Sequence, residues 1–215
     1  MRRAVFLDRD GVLNAMVYNP EFGTVDSPAS PEEFQLLPGA AEAVRGINEL
    51  GLLAIVASNQ PGVAKGRFTL ALLEATTRGM HQALAAAEAR LDAVYYCLHH
   101  PGAVLPEYRA VCECRKPKPG LLLKAAREWN IDLAGSYVVG DGIVDLRAGR
   151  AAGATTIFVN ARKCYYCEEL NRQGARPDYW VPGLAEAVAL IAQLEAAPVA
   201  AAQPDLVRLA SSIGL

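Results

Sequence analysis

Residues 4–14 read AVFLDRDGVLN, and this stretch sets the fold. The apolar run from Ala4 to Leu7 has the length and composition of a strand buried on both faces, and it stops abruptly at Asp8. Asp8 and Asp10 are two apart, so along an extended chain they share one side, and Gly11 lets the chain turn away without a side-chain clash. Two carboxylates that close repel unless a cation lies between them or one is protonated. A hard Mg²⁺ ion suits such a place, because it takes oxygen ligands and keeps waters while bridging to phosphate. Alone, an Asp-x-Asp-Gly stretch is ordinarily a turn, so its meaning depends on the rest of the chain.

Outward from this stretch, short β-rich runs alternate with longer Ala- and Leu-rich segments. Leu52–Ser58 (LLAIVAS), Ala93–Leu98 (AVYYCL), Ser136–Gly140 (SYVVG) and Thr155–Asn160 (TTIFVN) have strand composition. Helices are expected over Gly39–Gly51, over about Thr69–Arg90 with Thr69 as N-cap, over Pro119–Trp129 and over Ile143–Ala152. Asp178–Val181 and a helix to about Leu194 add one last unit. Such alternation implies an α/β fold, an open parallel sheet with helices on both faces. A single domain over residues 1–195 accommodates it, with residues 196–215 a loosely held tail or an extra docked helix. Ligands bind such sheets outside the carboxyl ends of the strands. The polar residues fall there: Asp8 and Asp10, Ser58 and Asn59, and Asp141.

The chain has 215 residues, 52% hydrophobic and 20% charged, a folding composition that excludes a largely disordered chain. Its formal net charge of −2 supplies no basic field for nucleic acid, and 7% aromatic residues are few for a base-stacking groove. Behind Arg2 and Arg3 only Ala4–Leu7 are apolar, too short for a secretory segment, and no window reaches the roughly 18 apolar residues of a membrane span. The expectation is a cytoplasmic protein with neither nucleic acid nor membrane as partner. The sequence leaves the oligomeric state open, a monomer included.

Most of the cysteines and histidines crowd into YYCLHHPGAVLPEYRAVCECRKPKPG, residues 95–120. Cys97-x-His99 and Cys112-x-Cys114 are two chelating pairs. In an extended segment Cys97 and His99 project to one side while His100 points away. Three thiolates and one imidazole suit tetrahedral Zn²⁺ in a closed, structural site. Any one of these cysteines would ordinarily be buried without metal; four ligands in two close pairs favour zinc. The odd total of five cysteines argues against a complete disulfide framework. Cys164 and Cys167 remain, in KCYYCEE, and with no second pair to complete a site they read as spare thiols.

The ordered set of Asp8-x-Asp10-Gly11, a strand ending in Ser58-Asn59-Gln60, Lys116 ahead of a helix, and Gly140-Asp141 with Asp145 resembles the haloacid-dehalogenase-like (HAD-like) phosphohydrolases over about residues 4–160. The resemblance implies phosphoryl transfer in two steps. Asp8 would attack phosphorus and become an aspartyl-phosphate while Asp10 protonates the leaving alcohol, and Asp10 would then act as base on the hydrolytic water. To deliver a proton at neutral pH, Asp10 needs a pKa raised above the ordinary ~3.9. The resemblance also implies that the carboxylates of Asp8 and Asp141 and the backbone carbonyl of Asp10 hold Mg²⁺, and that Ser58 and Lys116 stabilise the phosphoryl oxygens.

Within that group, FLDRDGVLN, SNQPGVAKGRF, YYCLHHP, CECRKPKPG and VGDGIVD are similar to segments of the D-glycero-D-manno-heptose 1,7-bisphosphate phosphatases. Histidinol-phosphate phosphatases carry a related zinc loop, but with a shorter span than that from Cys97 to Cys112. The resemblance implies a small sugar-phosphate substrate, a heptose bisphosphate that loses its 7-phosphate and keeps its 1-phosphate for nucleotide activation. It implies further that Arg115 recognises the distal part of the substrate, that Arg9, Asn59 and Gln60 line the site, and that the loop Met16–Asn19, with Tyr18 and Asn19, closes over it. Two positions depart from the family: Gly142 stands where a lysine is usual, and Pro61 where a small polar residue is usual. Between Ser58 and Lys116 there is space for one helix, one strand and the zinc loop, but for no large cap domain. The competing readings are a polynucleotide 3′-phosphatase, which the near-neutral charge opposes, and a catalytically idle zinc-stabilised interaction module, which has no need of both Asp8 and Asp10.

Overall fold

The computed structural model describes residues 1–20, 23–160 and 169–197; Cys164, Cys167 and residues 198–215 lie outside them. Six strands form one sheet: β1 (Ala4–Leu7), β4 (Leu53–Asn59), β5 (Ala93–Cys97), β6 (Tyr137–Gly140), β7 (Thr155–Val159) and β8 (Tyr179–Val181). Their order is β5-β4-β1-β6-β7-β8, with every neighbouring pair parallel. From β1 the chain moves outward through β4 to β5, then crosses back to β6 and continues to β7 and β8. The direction of progress therefore reverses beside β1, and the crevice that forms at such a reversal is where open sheets bind ligands. Asp8 is the first residue past β1.

Alternation along the strands decides which helix packs where. Val5 and Leu7 face the side covered by α1 (Ala40–Glu49), α2 (Leu70–Ala85) and α5 (Leu184–Ala196), against Ile47, Met80 and Ile191. Ala4 and Phe6 face the other side, where α3 (Gly120–Trp129) contributes Leu121, Leu122 and Ala125, and α4 (Ile143–Ala152) contributes Ala148. Burying each large side chain contributes roughly 1.5–3 kcal/mol, and truncating Phe6, at 1% exposure, to alanine would cost about 3–5 kcal/mol. Among the described residues no helix is long and apolar enough to cross a membrane.

Two elements differ from the sequence-based expectation. Helix α2 starts as expected, with the Thr69 hydroxyl accepting from the Leu72 N–H at 3.2 Å, but it stops at Ala85 rather than near Arg90. The Leu84 carbonyl accepts from the N–H groups of both Ala87 and Ala89, and Glu88 takes a left-handed backbone with φ 58°, a place where glycine is usual. Burial of Ala89 and Leu91 draws the chain toward β5. The other difference is a separate antiparallel hairpin, β2 (Val17–Asn19) with β3 (Thr24–Asp26), where the sequence suggested only a loop. Arg67 ties this hairpin down through an ion pair with Asp26. Between Ser58 and Lys116 stand only α2, β5 and the Cys/His loop with its short 3₁₀ turn, and no cap domain.

Candidate active site

The backbone N–H of Asp8 still donates to the Val139 carbonyl at 3.0 Å, so its side chain leaves the end of β1 in a fixed direction. Asp141 follows β6 immediately, and Asp145 lies in the first turn of α4. One carboxylate oxygen from each of Asp8, Asp141 and Asp145 falls within 4.8 Å of the others. Gly11, at φ 81°, supplies the turn expected of it, and it also makes space, because a Cβ there would overlap the Asp141 carboxylate. Lys116, 4% exposed, enters from the segment before α3. Its ammonium donates to the Ala57 carbonyl at 2.7 Å and pairs with Asp8 Oδ1 at 3.1 Å and with Asp145.

These contacts set the local electrostatics. Burial alone would lower the Lys116 pKa, but the charges of Asp145 and Asp8 outweigh it and hold the ammonium form. Burial, then the negative charges of Asp8 and Asp145, push Asp141 up to about 7. One ammonium therefore faces three carboxylates that resist sharing negative charge. An all-oxygen donor set with surplus negative charge fits a hard divalent cation. Asp8 and Asp141 would be its carboxylate ligands, beside the backbone carbonyl of Asp10.

The side chain of Asp10 does something other than the sequence suggested. Arg9 donates to it through Nε at 3.0 Å and Nη2 at 3.2 Å, Asn14 at 3.0 Å, Ser27 at 2.7 Å and Gln60 at 2.6 Å. Burial pushes the carboxyl up, but the Arg9 guanidinium and the hydrogen bonds of Asn14, Ser27 and Gln60 outweigh it and hold Asp10 below the usual carboxylate range. The raised pKa expected of a proton donor is thus corrected: in the free protein Asp10 rests as a base. Arg9 is fully buried, fixed to Asp10 and Gln60 and packed over the Tyr96 ring. It orients Asp10 instead of lining an open site.

The remaining candidates divide by place. Ser58 is buried at the end of β4, accepting from Gln60 at 3.2 Å. Asn59 bonds the main chain of Lys116 twice, donating to its carbonyl and accepting from its N–H, each at 3.0 Å. Arg115 donates to the His99 carbonyl at 3.2 Å. Burial, then the positive charges of Arg115 and Lys65, push the His100 pKa down. Asn19 lines a cleft with Ser27, Lys65 and Arg67, whereas Tyr18 is 62% exposed on the hairpin. Asp145, Asn14 and Ser27 are the residues that sequence reasoning left without a role. The spacing GDGIVD marks Asp145, and Asn14 ends the quoted FLDRDGVLN, but nothing local marks Ser27.

Cys97, His99, Cys112 and Cys114 form the second cluster. The three sulfurs lie 3.1, 3.2 and 3.6 Å apart, and His99 Nδ1 is 3.3 Å from Cys114 Sγ and 4.0 Å from Cys97 Sγ. Tetrahedral zinc with bonds near 2.3 Å sets sulfur–sulfur edges at about 3.8 Å, so this donor set fits that ion and leaves no ligand position open. Burial, then the neighbouring thiols, push the Cys97 thiol up. The cluster is wired to the other site: the Gln60 N–H donates to the Cys97 carbonyl at 2.8 Å, and Arg115 and Lys116 follow Cys114 directly.

The HAD-hydrolase-like family profile matches residues 113–187. D-Glycero-β-D-manno-heptose-1,7-bisphosphate 7-phosphatase of Escherichia coli K12 is 41% identical over 153 residues, 71% of this chain and 76% of that protein. The same-named protein of Salmonella typhi is 40% identical over 169 residues, 78% of this chain and 86% of that one. The chain belongs to this family of HAD-like phosphatases. Among solved structures, a D,D-heptose 1,7-bisphosphate phosphatase from B. bronchiseptica, complexed with magnesium and phosphate, superposes with a TM-score of 0.73 at 32% identity, covering 89% of this chain and 99% of that one. Against the HAD-like pattern, Gly142 serves as the N-cap of α4, its N–H donating to Asp145 at 3.1 Å, and Pro61 forms part of the cleft wall.

Proposed function

We propose that this chain is a Mg²⁺-dependent phosphomonoester hydrolase that removes the 7-phosphate of D-glycero-β-D-manno-heptose 1,7-bisphosphate through an aspartyl-phosphate on Asp8. The observation that carries the chemistry is the buried Lys116 ammonium, paired with Asp8 and Asp145 where the sheet's strand order reverses. The names of the relatives support the substrate.

The Arg9 N–H at 2.7 Å and the Lys116 ammonium at 3.1 Å both engage Oδ1 of Asp8, and Oδ2 serves as the attacking oxygen in this reading. A bond forms from Asp8 to phosphorus and the bond from phosphorus to the sugar oxygen breaks. Asp10 gives the departing oxygen its proton. A phosphate entering beside Asp10 adds negative charge, which shifts that carboxyl toward the protonated form the step needs. Asp10 then takes a proton from water, whose oxygen attacks phosphorus and frees Asp8. Mg²⁺ supplies positive charge that lets an anionic phosphate approach an anionic nucleophile. Lys116 and Ser58 stabilise the phosphoryl oxygens, and Asp145 fixes Lys116. Zn²⁺ on Cys97, His99, Cys112 and Cys114 holds the loop that carries Arg115 and Lys116, and Arg115 meets the distal part of the sugar. The activity suits the cytoplasmic setting expected from the sequence.

Phosphate release from the β-heptose bisphosphate, its α anomer and histidinol phosphate tests the reading. The β bisphosphate should lead histidinol phosphate by more than about tenfold in kcat/KM. The reverse ranking would overturn the substrate assignment.

A further inference from the structure

Next to Asp10 an open, solvent-filled cleft separates the β2–β3 hairpin from the segment that follows β4. Ser27 belongs both to its wall and to the set of donors on Asp10, and Gln60, another of those donors, directly precedes the wall residue Pro61. The cleft therefore opens from the carboxylate that serves the leaving alcohol. Phe68 gives it an apolar wall, and Lys65 and Arg67 give it two cations.

Those two cations are not equivalent. Arg67 is engaged by Asp26 of the hairpin. Lys65 lines the cleft and has no carboxylate partner within ion-pair distance among the described residues. Its position is nonetheless fixed. The Lys65 N–H donates to Pro61 at 2.9 Å and the Arg67 N–H to Gly62 at 2.9 Å, while Ala64 accepts from Val104 and Leu105 of the Cys/His loop at 2.8 and 3.1 Å. A lysine without a carboxylate partner, carried on a braced main chain beside a polar cleft, offers its ammonium to an anion.

We propose that Lys65 is a specificity-determining residue, which binds a second phosphate carried by the leaving alcohol and so selects sugar bisphosphates over monophosphates. This deepens the function proposed above and rests on its phosphatase chemistry. Arg67 closes the hairpin against Asp26 as the wall of this subsite, and the hydroxyl groups of the sugar meet Asn19 and Ser27 along the cleft.

The test is the ratio of kcat/KM for a sugar bisphosphate to that for the matching monophosphate, measured on the full chain with Mg²⁺ for wild type, Lys65→Gln and Lys65→Arg. The ratio should fall about tenfold or more in Lys65→Gln, chiefly through KM of the bisphosphate, and return toward wild type in Lys65→Arg. An unaltered ratio, whether both substrates weaken together or neither does, would overturn the proposal. So would a wild-type enzyme with no preference for bisphosphates. If another sugar bisphosphate outruns the heptose, the heptose assignment fails, and the same ratio on that sugar still decides the role of Lys65.

Discussion

The carboxylate rim and the Cys/His loop both crowd like groups together, yet they are assembled in opposite ways. The rim draws Asp8, Lys116, Asp141 and Asp145 from distant parts of the chain and sets them at the ends of β1 and β6 and the starts of α3 and α4. Its lysine already offsets part of the repulsion. The loop takes all four ligands from one short stretch, residues 97–114, three of them thiols. Topology holds the rim, whereas the loop is tied to its neighbours by main-chain hydrogen bonds and leaves the crowding of its own ligands for a metal to relieve. Taking magnesium from the rim should stop chemistry and spare the fold, and taking zinc from the loop should harm the fold and, through Arg115 and Lys116, the chemistry as well.

The strongest way to break this contrast is Asp8→Asn. Turnover should fall by about 10⁴-fold or more, while the melting temperature moves by no more than about 2 °C. Retained phosphate release would remove Asp8 as nucleophile. Cys112→Ser reverses the pattern. Elemental analysis should show zinc lost from the variant, and melting should drop by about 10 °C, the effect of several kcal/mol in a domain of this size. A zinc-free wild type of equal stability would end the distinction between the two sites.

Asp145→Asn acts between them, because it takes a partner from buried Lys116 without touching a zinc ligand. Turnover should fall by about 10²-fold with zinc content unchanged, as expected when a buried ion pair loses one member. The raised pKa of Asp141 gives a smaller effect with a definite sign. Below about 7 the folded protein keeps a proton on Asp141 that a metal must displace. Magnesium affinity measured by calorimetry should therefore weaken as pH falls, by up to about tenfold per unit below 7, with proton release on binding. A pH-independent affinity from 5.5 to 7.5 would count against Asp141 as a ligand. Smallest should be Asp26→Asn, which removes a half-exposed ion pair and should raise KM about threefold while kcat holds.

The two regions also differ in how far the sequence exposes them. The Cys/His ligands are visible as a local pattern, Asp8, Ser58 and Asp141 stand out at the ends of apolar runs, and Lys116 stands out by its place ahead of a helix in the motif order that resembles the family. What stays hidden depends on partners far along the chain. Three-residue strands such as Val17–Asn19 and Thr24–Asp26 have no periodicity to detect, and their hairpin exists through each other and Arg67. Arg9 sits in a polar motif, yet it is fully buried because Gln60 and Tyr96 receive it. The depressed pKa of Asp10 comes first from Arg9, and one of the hydrogen bonds that add to it comes from Ser27, which arrives with the hairpin. The early end of α2 turns on Glu88 in a conformation its side chain does not advertise.

The reciprocal pair between Asn59 and Lys116 works as a register check on the joint between the two regions. One side-chain amide reads both the donor and the acceptor of a single main-chain residue. If the incoming segment slid by one position, Asn59 would face Pro117, which has no N–H to offer. A loop shifted that way would thus leave an amide oxygen unanswered, whereas the observed alignment delivers the lysine to the nucleophile and completes the seam.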